Sequence, residues 1–198
     1  LQDAYDAYHE HETDYTSDNW TAMIAFKGSG DTNIGSAENI GAVTEAYNDA
    51  ISDMAGVETI AEEVAAYREA HSTALALTVS TVDINDETIV DTALLAWEDL
   101  STEAKALLGT EHTLLDDLTA QITAVAAINA ASSETMGDSI STYATTLGLT
   151  LTDYTALSDK DPVHTALVSP VFTNKAEVKT AFDIAVAAQK AAEALVAE

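Results

Sequence analysis

The sequence predicts an all-α fold, an elongated tandem array of three-helix-bundle-like modules. Three observations predict it. Apolar residues recur at spacings of three and four nearly everywhere, the period of one helix face. Ala and Thr together fill 63 of the 198 positions, while only 2 Pro and 8 Gly interrupt them. Each apolar stripe is about one coiled-coil seam wide, which suits packed antiparallel helices.

The elements follow in order. Thr16 and Ser17 before Asp18-Asn19-Trp20 supply an N-cap and an acidic first turn. Lys27-Gly28-Ser29-Gly30-Asp31 is expected to cut that helix short, with a loop on to Ile34-Gly35. Ser36-Ala37-Glu38 opens the next helix, whose inner face is Ile40, Val43, Tyr47, Ile51 and Met54. Ile60, Val64, Tyr67, His71 and Leu75 repeat the pattern. Leu77 to Ile84 alternates β-branched residues like a strand, yet a lone strand has no partner, and an extended link serves equally. Asn85-Asp86-Glu87 opens a helix with Val90, Ala93, Trp97 and Leu100 on one side. Ser101-Thr102-Glu103 starts a short helix that Gly109 ends, and Thr110 caps the one bearing Leu115, Leu118, Ile122 and Val125. Met136, Ile140, Tyr143 and Leu147 form a further stripe. Pro162 and Pro170 bracket one or two turns, and Asn174 heads a long Ala-rich helix with Val178, Phe182 and Ala185 inside.

Composition shifts divide the chain into three units, cut near Gly56 and near Ala127: residues 1–56, 57–127 and 128–198. Their net charges are −10, −12 and −5, within a total of −27 from 34 acids and 7 bases. Hydrophobic residues make up 47%, enough for a packed core. So few cations are a poor match for a phosphate backbone or an anionic lipid surface, which argues against nucleic acid and anionic membrane surfaces as partners. No apolar run is long enough to span a membrane as a helix. The absence of Cys removes disulfides, thiolate metal sites and Cys nucleophiles. A start at Leu1, with neither Met nor a basic leader, reads as a fragment or a mature product.

Tyr15-Thr16-Ser17-Asp18-Asn19-Trp20 and the Ala-rich helix from Ala37 to Met54 resemble a FIVAR-type module. Those are three-helix repeats of Gram-positive surface proteins and adhesins. Asp83 through Trp97, then Leu100-Ser101-Thr102-Glu103-Ala104-Lys105-Ala106-Leu107, resembles a second such repeat, with Trp97 in a Tyr place. Tyr154-Thr155-Ala156-Leu157 and Asn174-Lys175-Ala176-Glu177-Val178 resemble the Ala-rich spacers of S-layer-associated proteins. The resemblance implies an extracellular, non-enzymatic spacer or assembly region of a bacterial cell surface. Its partners would be neighbouring modules or copies of the parent protein, and cell-wall polysaccharide. The alternative it implies is an adhesin module binding cell-wall or host glycan.

The candidate sites are sparse. Tyr15, Trp20, Trp97 and Tyr154 are the aromatics that could stack on sugar rings, although their helical spacing suits a core first. His9-Glu10-His11-Glu12 is rich in metal ligands, but residues two apart point in different directions on a helix, and a solvated helix end is the simpler account. Asp83, Asn85 and Glu87 alternate like the start of a calcium loop, but Thr88 stands where the Gly belongs, so capping is expected. Gly28-Ser29-Gly30 lacks the Lys-Ser/Thr of a phosphate loop and reads as a flexible loop. His71, His112 and His164 read as structural or surface residues, and no Ser/His/Asp order carries an elbow motif. No catalytic, cofactor-binding or metal residue is therefore assigned. Calcium stays open, because carboxylates far apart in sequence could converge between modules.

Overall fold

The computed structural model describes residues 1–196. It is all-helical, and no strand forms among the described residues. Two compact units divide the chain. The first comprises Leu1–Ala70 with Asp99–Gly109, and the second comprises His71–Glu98 with the chain from Thr110 onward.

The first unit holds α1 (Gln2–His9), α2 (Ser17–Ser36), α3 (Ile40–Ala55), α4 (Ile60–Ala70) and α7 (Thr102–Leu107). Thr16 caps α2 as expected, its Oγ1 accepting the Asn19 N–H at 3.1 Å. The helix does not stop at Lys27-Gly28-Ser29-Gly30-Asp31, however; it runs unbroken to Ser36. Gly30 is buried where α2 meets α3. A Cβ there would overlap the Cβ of Ala50 and come within 2.8 Å of Leu1 Cδ2. The glycine lets two backbones approach closely, and that packing outweighs its poor helix propensity, about 1 kcal/mol.

The cap of α3 is Asn39 rather than Ser36, with Asn39 Oδ1 accepting from Ala42 N–H at 3.0 Å. Met54 is fully buried and Ile51 partly so, but the other end of the same stripe is not: Ile40 is 86% exposed. Thr59 and Glu62 form a capping box on α4. Glu63 then reaches the start of α7, accepting from Ser101 N–H at 2.7 Å and from its hydroxyl at 2.6 Å. This ties a segment 38 residues downstream into the first unit.

The second unit holds α5 (Ser72–Leu75), α6 (Glu87–Glu98), α8 (Gly109–Ala130) from Thr110 on, α9 (Met136–Leu147), α10 (Leu151–Ala156), α11 (Asp161–Val168) and α12 (Lys175–Val196). The strand-like stretch from Leu77 is a turn, Thr78–Thr81, closed by hydroxyl bonds among Thr78, Ser80 and Thr81. Asp83 and Asp86 cap each other's backbone at the entry to α6, so the alternating acids serve helix initiation. Gly109 begins α8 instead of ending α7, whose last residue is Leu107. The position near Ala127 lies inside α8, not in a link.

Two apolar clusters fill this unit. Leu115, Leu118 and Ile122 of α8 pack with Val82, Val90 and Ala93. Further along the chain Ile128, Met136, Ile140, Leu147, Leu167 and Phe182 form the larger cluster. Gly148 ends α9 in the left-handed conformation, φ 67°, and Leu149 N–H returns to Ala144 O at 2.8 Å. Pro162 lies in the first turn of α11, and Asn174 caps α12 through its Oδ1.

Candidate functional site

The four aromatics fall into different settings, two in each unit. Trp20 is 9% exposed and packs with Met23 and Met54. Tyr5, one turn before His9 on α1, lies 5.7 Å from the Trp20 ring, and His9 lies 5.5 Å from it. Tyr5 and His9 are themselves nearly parallel at 6.1 Å. Tyr15, half-buried, tilts against Trp20 at 6.0 Å. Lys27 sits over the Tyr5 ring at 5.8 Å. The ring stack holds α1 against α2. Burial raises the Tyr15 hydroxyl above its ordinary pKa, and Tyr8, Glu62 and Asp14 add to that.

Tyr154 belongs to the second unit's core, 4% exposed and 5.5 Å from Phe182. Its hydroxyl is 2.8 Å from His164 Nε2, the phenol donating when the ring proton sits on Nδ1 and accepting when it sits on Nε2. This bond locks α10 to α11. Gly137 on α9 faces the pair, and a Cβ there would press on the His164 ring at 3.2 Å. Burial pushes the Tyr154 phenol up, which disfavours a phenolate near neutrality. Trp97 is half-buried, its ring centroid 3.9 Å from that of His112. His112 in turn pairs with Asp116 at 3.2 Å.

The structure thus brings Tyr15 and Trp20 together, while Trp97 and Tyr154 each meet a different histidine. Sequence reasoning missed those histidine partners. Tyr5 and His9 are one helical turn apart, a spacing legible in the sequence, whereas His112 and His164 come from helices that only the fold places. His9 and His11 lie at exposed positions with Glu12 and Asp14 each 3.4 Å away. Among the described residues no group of three His, Asp or Glu side chains converges as a metal site would.

An open cleft of about 450 Å³ lies between Thr150, Thr152, Asp153 and the face of α12 with Phe182 and Asp183. Both of its carboxylates face lysines: Asp153 meets Lys190 and Asp183 meets Lys179, each at 2.7 Å. Near the end of α12, Glu193 accepts the backbone N–H groups of Ser158 at 3.0 Å and Asp159 at 2.9 Å. Those bonds hold its carboxyl below the usual range, with Gln189 and Lys160 adding to the effect. No described helix is long and apolar enough to cross a membrane. No protein-family model, curated protein or solved structure matches this chain.

Proposed function

We propose that the chain is a non-enzymatic structural region of an extracellular bacterial surface protein, an S-layer-type spacer or assembly unit built of tandem three-helix-bundle-like modules. The observation that carries this reading is the placement of the motif aromatics. Trp20 and Tyr154 are buried and occupied by neighbouring rings, so neither offers a face to a sugar. The shell around them is acidic, which keeps a spacer soluble and unattached to anionic polymers. Calorimetric titration with soluble cell-wall polysaccharide tests the reading. A spacer gives no saturable heat. Saturable binding that Tyr15→Ala or Trp97→Ala abolishes would replace it with the glycan-binding adhesin, since those two rings are the less buried pair.

A further inference from the structure

Helix α3 carries one apolar stripe, Met54, Ala50, Tyr47, Val43 and Ile40, at spacings of four, three, four and three. Burial along it is uneven. Met54 and Ala50 are 0% and 4% exposed, Tyr47 and Val43 are 40% and 37%, and Ile40 is 86%. The step falls where α1 stops. Leu1 lies at the crossing of Gly30 and Ala50, its Cδ2 2.8 Å from where a Cβ on Gly30 would stand. From there α1 runs back along α2, with Tyr5 beside Trp20 and Lys27, and His9 against Trp20. Helix α1 is therefore antiparallel to α2. Its axis, prolonged past Leu1, points along the exposed turns of α3, with Ile34 of α2, one turn beyond Gly30, on the other side. Ala50 and Ile40 are about 15 Å apart along α3, a length that about ten residues of helix span.

Charge narrows what can lie there. Residues 28–66 contain no Lys, Arg or His. Asp31 is met by Lys27 at 2.6 Å, while Glu38 is exposed beside Asn39, the cap of α3, and Glu45 and Asp49 are exposed on the same helix. The whole unit carries −14. A second acidic copy is repelled from such a face, whereas a basic helix is drawn to it.

We propose that the α2–α3 groove beyond Leu1 docks an amphipathic helix of a partner protein, basic on its outer face and laid end to end with α1. Its apolar residues, at spacings of three and four, continue the row Leu1, Ala4, Tyr5 and Tyr8 that α1 packs on the Trp20, Met23 and Met54 cluster. The existing α1 interface thus supplies the geometry, and the acids of the first unit supply the attraction. A groove that binds no helix would leave the spacer reading standing.

Calorimetric titration of the full chain tests it, at about 0.15 M salt, where distant surface charges are screened. The probe is a synthetic peptide of about 14 residues, about 21 Å of helix, made of Leu, Ala and Lys with leucines at spacings of three and four. It should bind saturably. A peptide of the same composition with the leucines scrambled, and a twin with Glu for every Lys, should each bind at least about tenfold more weakly. Ile40→Ser, at an exposed position, and Tyr47→Ser, each with unchanged melting, should raise Kd by about tenfold. Ile184→Ser, exposed on α12, should leave it unchanged. Equal affinity for the scrambled peptide overturns the proposal by leaving charge alone as the cause, and equal affinity for the acidic twin overturns the basic partner. So does an equal loss in Ile184→Ser. A chain that is dimeric without peptide and becomes monomeric on Ile40→Ser overturns it in favour of a second copy.

Discussion

The two units differ in what holds them. The first buries eight apolar residues, and its cluster of Trp20, Met23 and Met54 is completed by partly buried rings at Tyr5, Tyr8, Tyr15 and Phe26. The second buries twenty-three among its described residues, mostly aliphatic. The charges are nearly equal, −14 and −13, but the first unit spreads its share over 81 residues and the second over 117. More repulsion per residue therefore acts on the unit with less apolar burial to oppose it. The lesson is that a chain of uniform composition can still have a weak half. Stability here follows how much surface is buried behind the acids.

Substitutions can break this contrast from either side. Phe182→Ala should cost about 3–5 kcal/mol, because the ring projects from α12 and is fully buried against Tyr154. Denaturant titration followed by far-UV ellipticity would show only the second unit's transition moving. Gly30→Val should cost about 1–3 kcal/mol or more in the first unit, since the overlapping neighbour is the short side chain of Ala50 and the helices must part. Its readout is Trp20 fluorescence in a Trp97→Phe background.

pH gives smaller effects of known sign. Glu62 and Glu193 have lowered pKa values because each accepts backbone N–H bonds. Their contribution is present above the ordinary carboxyl value near 4.5 and is lost as pH falls through the lower folded value. Glu193→Gln should flatten the acid limb of the second unit's melting curve, and Glu62→Gln that of the first. Tyr15 and Tyr154 are raised above 10.0. Their contribution holds below that value and fades as pH rises past it, visible as alkaline destabilisation that Tyr154→Phe reduces.

Helix identity was legible in the sequence because periodicity of three and four is local. Leu115, Leu118 and Ile122 are buried as the spacing implied. Gly30 does not break α2 because Ala50 across the helix pair decides its use, which propensity read from a glycine alone misses, while Gly28 faces open space and is carried within the same helix. The stripe through Ile40, Val43 and Tyr47 was expected to be covered, but Ile40 is 86% exposed and Val43 and Tyr47 stay partly exposed. Likewise Asp99–Gly109 joins the first unit through Glu63 and Ser101, a long-range pairing that no local pattern announces. Among the candidate aromatics, core packing was legible for Trp20 and Tyr154, but their histidine neighbours were not.

Thermal unfolding of Trp97→Phe chains, with Trp20 fluorescence and far-UV ellipticity recorded together, tests the account most directly. It is run in NaCl and in CaCl₂ at matched ionic strength, from about 0.01 M, where charges repel over about 30 Å, to about 1 M. Trp20 should report the lower of two transitions. That transition should rise with ionic strength more than the upper one, and equally in both salts. A single concerted transition, or a rise specific to calcium, would contradict it, the latter by showing that cations bridge the acids of this chain instead of screening them.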